Sequence, residues 1–462
     1  MKIYLLLFSL LFSASLLNAQ TYTLDSTVLT SREVKTGLDI PWEIIWGPDN
    51  NIWVTERYGR VSRIDPSTGL QTILLDLSAT VYQQAESGLL GMALHPDFSN
   101  QPYVYLVYTY LSGGSTILER MVRYNYTGTA LNNPITLIDN IPGNTTHDGS
   151  RLLFLPDTTL LMTTGDAQNQ AAPQNINIMN GKVLRFTASG GIPADNPNPS
   201  SPVWTWGHRN AQGLWLAPNG HLYCSEHGPT TDDELHIIKK GRNYGWPTVT
   251  GYCDSPPELT FCNDSNVVEP LAAWTPTIAP SDIIWYDHPA IPEFENRLLM
   301  TVLKDKKLIA FGFNAAGDTV TQQSHYLSNQ FGRLRDICVS PDGKIYIATS
   351  GNSWSNTNPF THKIIELYNA AYVAPPTTIH NLKEELLVKV WPNPIQQGQN
   401  LQIELPNGMN GQFRLFDLLG QELISNAVVG NSALVVDLAA GVYVWQIETN
   451  SGKRSSGKLL IK

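Results

Sequence analysis

The sequence predicts an all-β chain, with a six-bladed β-propeller over residues 22–372 and a small C-terminal β-sandwich over residues 384–462. Composition and an internal repeat lead there. Gly and Pro account for 65 of 462 residues and Phe, Trp and Tyr for 10%, while charged residues reach only 15%. That mixture favours short strands and frequent turns over helices. An apolar-x-Pro-Asp/Asn turn followed by a β-rich run recurs at Trp46–Thr55, Leu94–Phe98, Phe154–Thr163, Leu216–Ser225 and Val339–Thr349. The prolines of these turns (Pro48, Pro96, Pro156, Pro218 and Pro341) are spaced by 48, 60, 62 and 123 residues. The doubled last interval leaves room for a sixth, degenerate copy around Trp285 to Leu303. Each repeat is a turn between two strands of a sheet that cannot bury both faces alone, so six of them pack radially. Two stacked sandwiches explain the period poorly.

The two ends of the chain have other textures. Met1-Lys2, an apolar run to Leu17 and then Asn18-Ala19 read as a secretory signal peptide, residues 1–19, cleaved after Ala19. No other stretch approaches the roughly 18 continuous apolar residues of a membrane span. Net charge is −10, from 40 acidic and 30 basic residues, which argues against nucleic acid or an anionic membrane as partner. In an oxidising compartment Cys253 and Cys262 are expected to close a Ser-Pro-Pro loop as a disulfide, while Cys224 and Cys338 lie in apolar strands as buried thiols. Val373-Ala-Pro-Pro opens a linker, residues 373–383. Beyond it, Phe413–Leu423 and Leu438–Ile447 alternate apolar and polar residues as an antiparallel sandwich does.

The richest stretch for chemistry runs from Trp204 to Pro247: Gly207-His-Arg209-Asn210 precedes one strand-like run, and Glu226-His227-Gly228-Pro229 with Asp232-Asp233-Glu234 follows the next. Around it in sequence stand Gly88–Phe98, His147-Asp148-Gly-Ser-Arg-Leu, Gly165-Asp166-Ala-Gln-Asn, Trp274-Thr-Pro-Thr277, Leu303-Lys304-Asp-Lys and Gly332-Arg333-Leu-Arg335-Asp336. Seven motifs in this order make residues 35–370 resemble the soluble quinoprotein sugar dehydrogenases, the pyrroloquinoline quinone (PQQ) dependent glucose and aldose dehydrogenases. The C-terminal segment, with Trp391-Pro-Asn-Pro, Leu419-Gly-Gln-Glu and Leu438-Ala-Ala-Gly-Val-Tyr, resembles the sorting domain of type IX secretion cargo. That second resemblance implies engagement of the secretion machinery, then release or attachment at the cell surface.

The first resemblance implies oxidation of an aldose at its anomeric carbon to a lactone, with hydride passed to the quinone and electrons to an external acceptor. His147 would take the hydroxyl proton, as an imidazole that titrates in the useful range. Arg209 would face the quinone oxygen where negative charge develops. PQQ carries three carboxylates, so in an acidic protein it needs gathered cations, and arginine forks suit carboxylates. The cofactor set is Arg209, Asn210, His227, Thr277, Lys304, Arg333 and Arg335, the last two on one face of a strand by alternation. Glu86, Thr146 and Gln168 would border the sugar, with Asp166 and Asp233 behind. Ca²⁺ would use the carbonyls of Gly228 and Pro229, and a second, structural Ca²⁺ would use Glu234 and Asp254 with the carbonyls of Tyr244, Thr250 and Tyr252, hard oxygen donors throughout. The chain departs from the glucose-specific branch at Glu86, His227 and Thr275, which points to the broader aldose branch.

Two other functions fit a propeller: a calcium-dependent lactonase, and a non-catalytic surface propeller that binds saccharide. The lactonase has no use for the Lys304, Arg333 and Arg335 cluster, and the binding protein would reduce no dye when given PQQ.

Overall fold

The computed structural model describes residues 20–351, 361–374, 388–405, 409–417, 421–450 and 454–462. The expected signal peptide and most of the expected linker fall outside them. Strands dominate, and Pro256–Ser265 is the one α-helix among the described residues. The chain divides into two compact units, residues 1–372 and 373–462.

In the first unit six antiparallel sheets follow one another, five of four strands and one of five. Their leading strands are Pro41–Trp46, Leu89–Leu94, Gly149–Phe154, Ala211–Leu216, Pro280–Tyr286 and Leu334–Val339. Each leading strand packs beside the next, and Leu334–Val339 returns to Pro41–Trp46, so the six close a ring. The recurrent proline turns take the same place every time, between the first and second strand of a sheet; the degenerate copy becomes the connection from Tyr286 to Arg297. Closure is made by pairing across the length of the chain. Val28–Leu38 adds to His362–Asn369 of the last sheet, with Leu29 opposite Asn369 and Leu38 opposite His362.

The leading strands bring side chains to the ring's centre in layers. Their second residues are Trp42, Leu90, Ser150, Gln212, Ser281 and Arg335, and their third residues are Glu43, Gly91, Arg151, Gly213, Asp282 and Asp336. Every one of these strands carries a register shift near its start. Such a bulge leaves a residue out of the ladder and re-aims its neighbours, which is how a strand can point successive side chains inward. The two glycines let strands meet closely, since a Cβ on Gly91 would lie 1.9 Å from the Ser150 carbonyl oxygen and one on Gly213 would lie 2.6 Å from that of Ser281.

The third-residue layer is a buried ionic belt. Arg151, 2% exposed, pairs with Glu43 at 2.6 Å, Asp336 at 3.2 Å and Asp282 at 3.5 Å. Three carboxylates around one guanidinium cannot all ionise cheaply out of water. Burial accordingly pushes Glu43 up to about 8 against the pull of Arg151, and Asp282 also rises for the same reason.

Cys253 and Cys262 form a disulfide with Cα atoms 6.5 Å apart, and Cys224 and Cys338 are buried thiols. The segment between the paired cysteines is not a loop but the helix Pro256–Ser265. Prolines at its first two positions need no intrahelical N–H partner. Ser255 caps it, its N–H and Oγ both donating to Glu258 Oε2, at 3.2 and 2.6 Å. The Ser-x-x-Glu signature of such a cap was present in the sequence.

The second unit has a three-stranded sheet (Lys389–Trp391, Asn400–Glu404, Asn431–Val435) and a four-stranded one (Asn410–Phe416, Glu422–Val429, Gly441–Thr449, Arg454–Ile461). One core, including Leu401, Ile403, Phe413, Leu415, Ile447 and Leu459, joins the two sheets.

Candidate active site

At the starts of the leading strands a cavity opens, lined by Trp42, Arg57, Glu86, Asp148, Gln212, His227, Arg333 and Arg335 among others. Trp42, Gln212 and Arg335 belong to the second-residue layer, directly above the ionic belt.

His147 stands at the edge of the third sheet, in the left-handed backbone region with φ of 62°. Its N–H donates to Glu86 Oε2 at 3.1 Å, which ties Glu86 to the histidine backbone. Arg209 Nη2 donates to His147 Nε2 at 3.1 Å. A guanidinium has no acceptor, so Nε2 must be the lone-pair nitrogen and the ring proton must sit on Nδ1. That proton is donated to Asp166 Oδ1 at 2.8 Å. Asp166 is fixed in turn by Trp246 Nε1 at 2.9 Å and by the N–H of Gln168 at 2.8 Å. Arg209 lies over the Trp246 ring, 5.3 Å from its centroid, and donates to the His227 carbonyl at 3.1 Å. His147, Arg209, Asp166 and Trp246 thus lock one another, and the neutral tautomer with its lone pair on Nε2 results.

Asn210 and Arg335 are joined through a residue that the sequence reading passed over. Gln212 Nε2 donates to Asn210 Oδ1 at 3.0 Å, while Arg335 Nη2 donates to Gln212 Oε1 at 2.6 Å. Arg335 and Arg151 both lie over the Trp42 ring, 4.5 and 4.6 Å from its centroid. Burial, then the charge of Arg151, pulls Arg335 down to about 9. Burial also lowers Arg333 and Arg57. Arg57 was the cation missed: it follows the second strand of the first sheet, where only its position at a strand end hinted at a role. Arg335 Nε, Arg57 Nε and Asn210 Nδ2 are buried donors without a hydrogen-bond partner among the described residues. A chamber with gathered guanidiniums and unspent donors is built to receive an anion carrying acceptor oxygens.

Of the remaining expected residues, Glu86 and His227 line this cavity. Gln168 donates to Thr146 Oγ1 beside His147. Lys304 Nζ donates to Thr277 Oγ1 at 2.9 Å on the exposed side. His227 Nε2 donates to the Pro280 carbonyl at 2.7 Å, and burial with the Arg335 charge pushes it down to about 3, so this imidazole stays neutral. Asp233 organises the Gly228-Pro229 turn: its Oδ1 accepts the Gly228 N–H at 2.8 Å and its Oδ2 accepts the N–H groups of Ile278 and Ala279 at 2.5 and 2.6 Å. Burial raises Asp233 to about 6. No side chain fits at Gly228, where a Cβ would lie 2.1 Å from the Thr231 carbonyl oxygen. Thr275 Oγ1 donates to Asp232 Oδ1 at 2.6 Å, away from the cavity lining.

The residues expected at a second calcium are Glu234 and Asp254 with the main-chain carbonyls of Tyr244, Thr250 and Tyr252. Both oxygens of Glu234 are engaged, one by His236 Nε2 at 2.6 Å and one by the Gly251 N–H. Burial disfavours charge on His236, but Glu234 outweighs it and raises the imidazole. Asp254 and Tyr252 are exposed and Thr250 is half-buried, while Tyr244 is buried with its hydroxyl donating to the Ile237 carbonyl at 2.7 Å.

Comparison with known proteins agrees with this architecture. Residues 38–355 match the glucose/sorbosone dehydrogenase family, and residues 389–462 match the secretion system C-terminal sorting domain. Quinoprotein glucose dehydrogenase B of Acinetobacter calcoaceticus is 31% identical over 72% of this chain and 88% of its own length. An aldose sugar dehydrogenase of Escherichia coli is 30% identical over 68% of this chain and 88% of its own. Among solved structures, the PQQ-bound aldose sugar dehydrogenase of Streptomyces coelicolor superposes with a TM-score of 0.63 at 31% identity, covering 74% of this chain and 98% of that one. The apo form of the soluble Escherichia coli enzyme gives 0.65 at 26% identity, over 74% and 99%. With the family pattern spanning most of the ring and a curated relative 31% identical over 72% of this chain, the chain belongs to the glucose/sorbosone dehydrogenase family of oxidoreductases.

Proposed function

We propose that this chain is a PQQ- and Ca²⁺-dependent aldose dehydrogenase, exported through its signal peptide and C-terminal domain. We read the closed ring of six sheets as a six-bladed propeller over residues 22–372, and the two sheets beyond the linker as a sandwich over residues 384–462. The observation that carries the functional reading is the tautomer of His147, with its lone pair turned to Arg209 at 3.1 Å and its proton held by Asp166 at 2.8 Å, beside a chamber of buried, unspent guanidinium donors.

When bound, PQQ would supply the hydride acceptor and Ca²⁺ the polarisation of its quinone oxygens. Arg335, Arg333 and Arg57 would hold its carboxylates, Asn210 would donate its free Nδ2, and Lys304 and Thr277 would close the exposed side. The donor set at the first ion fits: main-chain carbonyls of Gly228 and Pro229, on a turn that Asp233 holds and that leaves no room for a side chain. The second ion fits less well, because Glu234 would have to exchange His236 for it.

Substrate displaces the Arg209 N–H from His147 Nε2, which then takes the proton of the anomeric hydroxyl as hydride leaves the adjacent carbon, and Asp166 stabilises the imidazolium formed. Arg209, already beside Nε2, faces the developing negative charge. Glu86, Thr146 and Gln168 border the sugar. The product is the lactone, and the electrons pass to an external acceptor. A non-catalytic saccharide binder has no use for an oriented base, and a lactonase has none for buried arginines.

The test is dye reduction by apo protein given an aldose. Turnover should require PQQ and Ca²⁺ together; dye reduction in chelator without added calcium, or none with both present, refutes the reading.

A further inference from the structure

Lys182 opens the third strand of the third sheet, Lys182–Thr187, and is 0% exposed. A buried ammonium costs several kcal/mol unless it is fully hydrogen-bonded. No carboxylate among the described residues shifts this one; burial pulls it down, to about 7. What it has is three carbonyls, Ala172 and Pro173 at 3.0 Å each and Asn180 at 2.6 Å. An ammonium owns three N–H donors, so all are spent, and all on one segment.

That segment, residues 166–181, contains neither strand nor helix. Its ends meet where the Gly181 N–H donates to the Gly165 carbonyl at 2.9 Å, and Asn180 Nδ2 ties it to the Pro142 carbonyl at 2.7 Å. Asp166, which accepts the His147 ring proton, and Gln168, which donates to Thr146, stand at its start. Further along, Gln174 Nε2 donates to the carbonyl of Trp246, whose ring carries Arg209. A loop of this length without a ladder needs another source of order to hold two site residues in place.

We propose that Lys182 is a positioning residue, whose ammonium fills a three-carbonyl cage and so holds the Asp166–Gln168 turn against His147 and Thr146. The proposal rests on the reading of His147 as the proton acceptor. Lys182 touches no reacting atom; it acts through the backbone of the loop.

The test compares Lys182→Met, which keeps the length and removes the donors, with Lys182→Ala, which opens the cage, in the full chain. In the apo protein, amide exchange should accelerate at the bonded N–H groups of residues 169, 172, 175, 178 and 181, with the six sheets unchanged. Methylammonium should restore protection to Lys182→Ala and not to Lys182→Met, where a side chain already occupies the space. With PQQ and Ca²⁺ added, the aldose KM should rise about tenfold, in the range expected when a substrate-positioning group shifts by under an ångström, while PQQ affinity stays within about twofold. Unchanged exchange over 166–181, or protection lost equally in all sheets with no methylammonium effect, overturns the proposal. Should the wild type reduce no dye, the dehydrogenase reading fails, yet the exchange comparison still decides whether Lys182 orders the loop.

Discussion

Replacing Arg335 by Met should make the cofactor-free protein no less stable while crippling its affinity for PQQ. The variant keeps an unbranched apolar stem over Trp42 and deletes the charge. Arg335 is held at about 9 from an ordinary value of 12.5, and at about 1.36 kcal/mol per pH unit its burial costs on the order of 5 kcal/mol. Against that gain stand two losses. The charge-assisted bond to Gln212 Oε1, at 2.6 Å, is worth about 1.5–3 kcal/mol. Stacking of the guanidinium over Trp42 adds about 1–2 kcal/mol. The balance lies between about zero and 2.5 kcal/mol in favour of Met, and in a domain this large about 2 °C of melting temperature accompanies each kcal/mol. Affinity moves the other way, because removing one partner of a buried charge pair costs about 3–5 kcal/mol, a hundredfold or more. The assay is thermal unfolding of the apo protein beside an equilibrium PQQ titration of the same preparation. An apo variant that melts many degrees below wild type, or one that binds PQQ normally, refutes the claim that Arg335 is a strained cation kept for an anionic ligand.

His147→Gln, saturated with PQQ and Ca²⁺, should lose about 10² to 10⁴ in turnover with PQQ affinity little changed; steady-state rates within about threefold of wild type would make His147 a turn residue only. Glu43 is raised to about 8, so its folded form holds a proton that the unfolded form releases above about 4.5, and its contribution to stability, present at acidic pH, disappears as pH climbs through 8. Melting curves from pH 5 to 8 should therefore show Glu43→Gln gaining on wild type as pH rises, and parallel curves would remove Glu43 from that titration. Deleting residues 384–462 should leave dye reduction intact and abolish export, measured as activity in purified protein and in culture medium.

The turns were legible because Pro and Asp impose local backbone geometry whatever surrounds them, which is why Pro48, Pro96, Pro156, Pro218 and Pro341 each mark the same turn of a sheet. His147, Arg209, Asn210, Arg333 and Arg335 were legible for a different reason, since each sits in a short motif at a strand end. Gln212, Arg57 and the belt of Glu43, Arg151, Asp282 and Asp336 were not. Along a strand, a charged residue between apolar ones reads as the solvent face of an alternating pattern, and only the ring's closure turns that face inward. The helix at Pro256 escaped because two prolines and a cysteine pair suggest a loop, although Ser255 and Glu258 announce its start.

The belt nonetheless bears on the site. Asp336 raises Arg335 by its charge while Arg151 lowers it, and Arg151 Nε donates to the Gln212 carbonyl at 2.8 Å, below the very residue that Arg335 grips. The carboxylate that raises all three chamber guanidiniums is Glu86, which acts on Arg57, Arg333 and Arg335 alike and so helps them to crowd together before any anion arrives. Of the third residues, Arg151 and Asp336 thus act on Arg335 in the layer of second residues above them. A charge there is conspicuous only once the two glycines at the equivalent positions, Gly91 and Gly213, show that these six places are one layer.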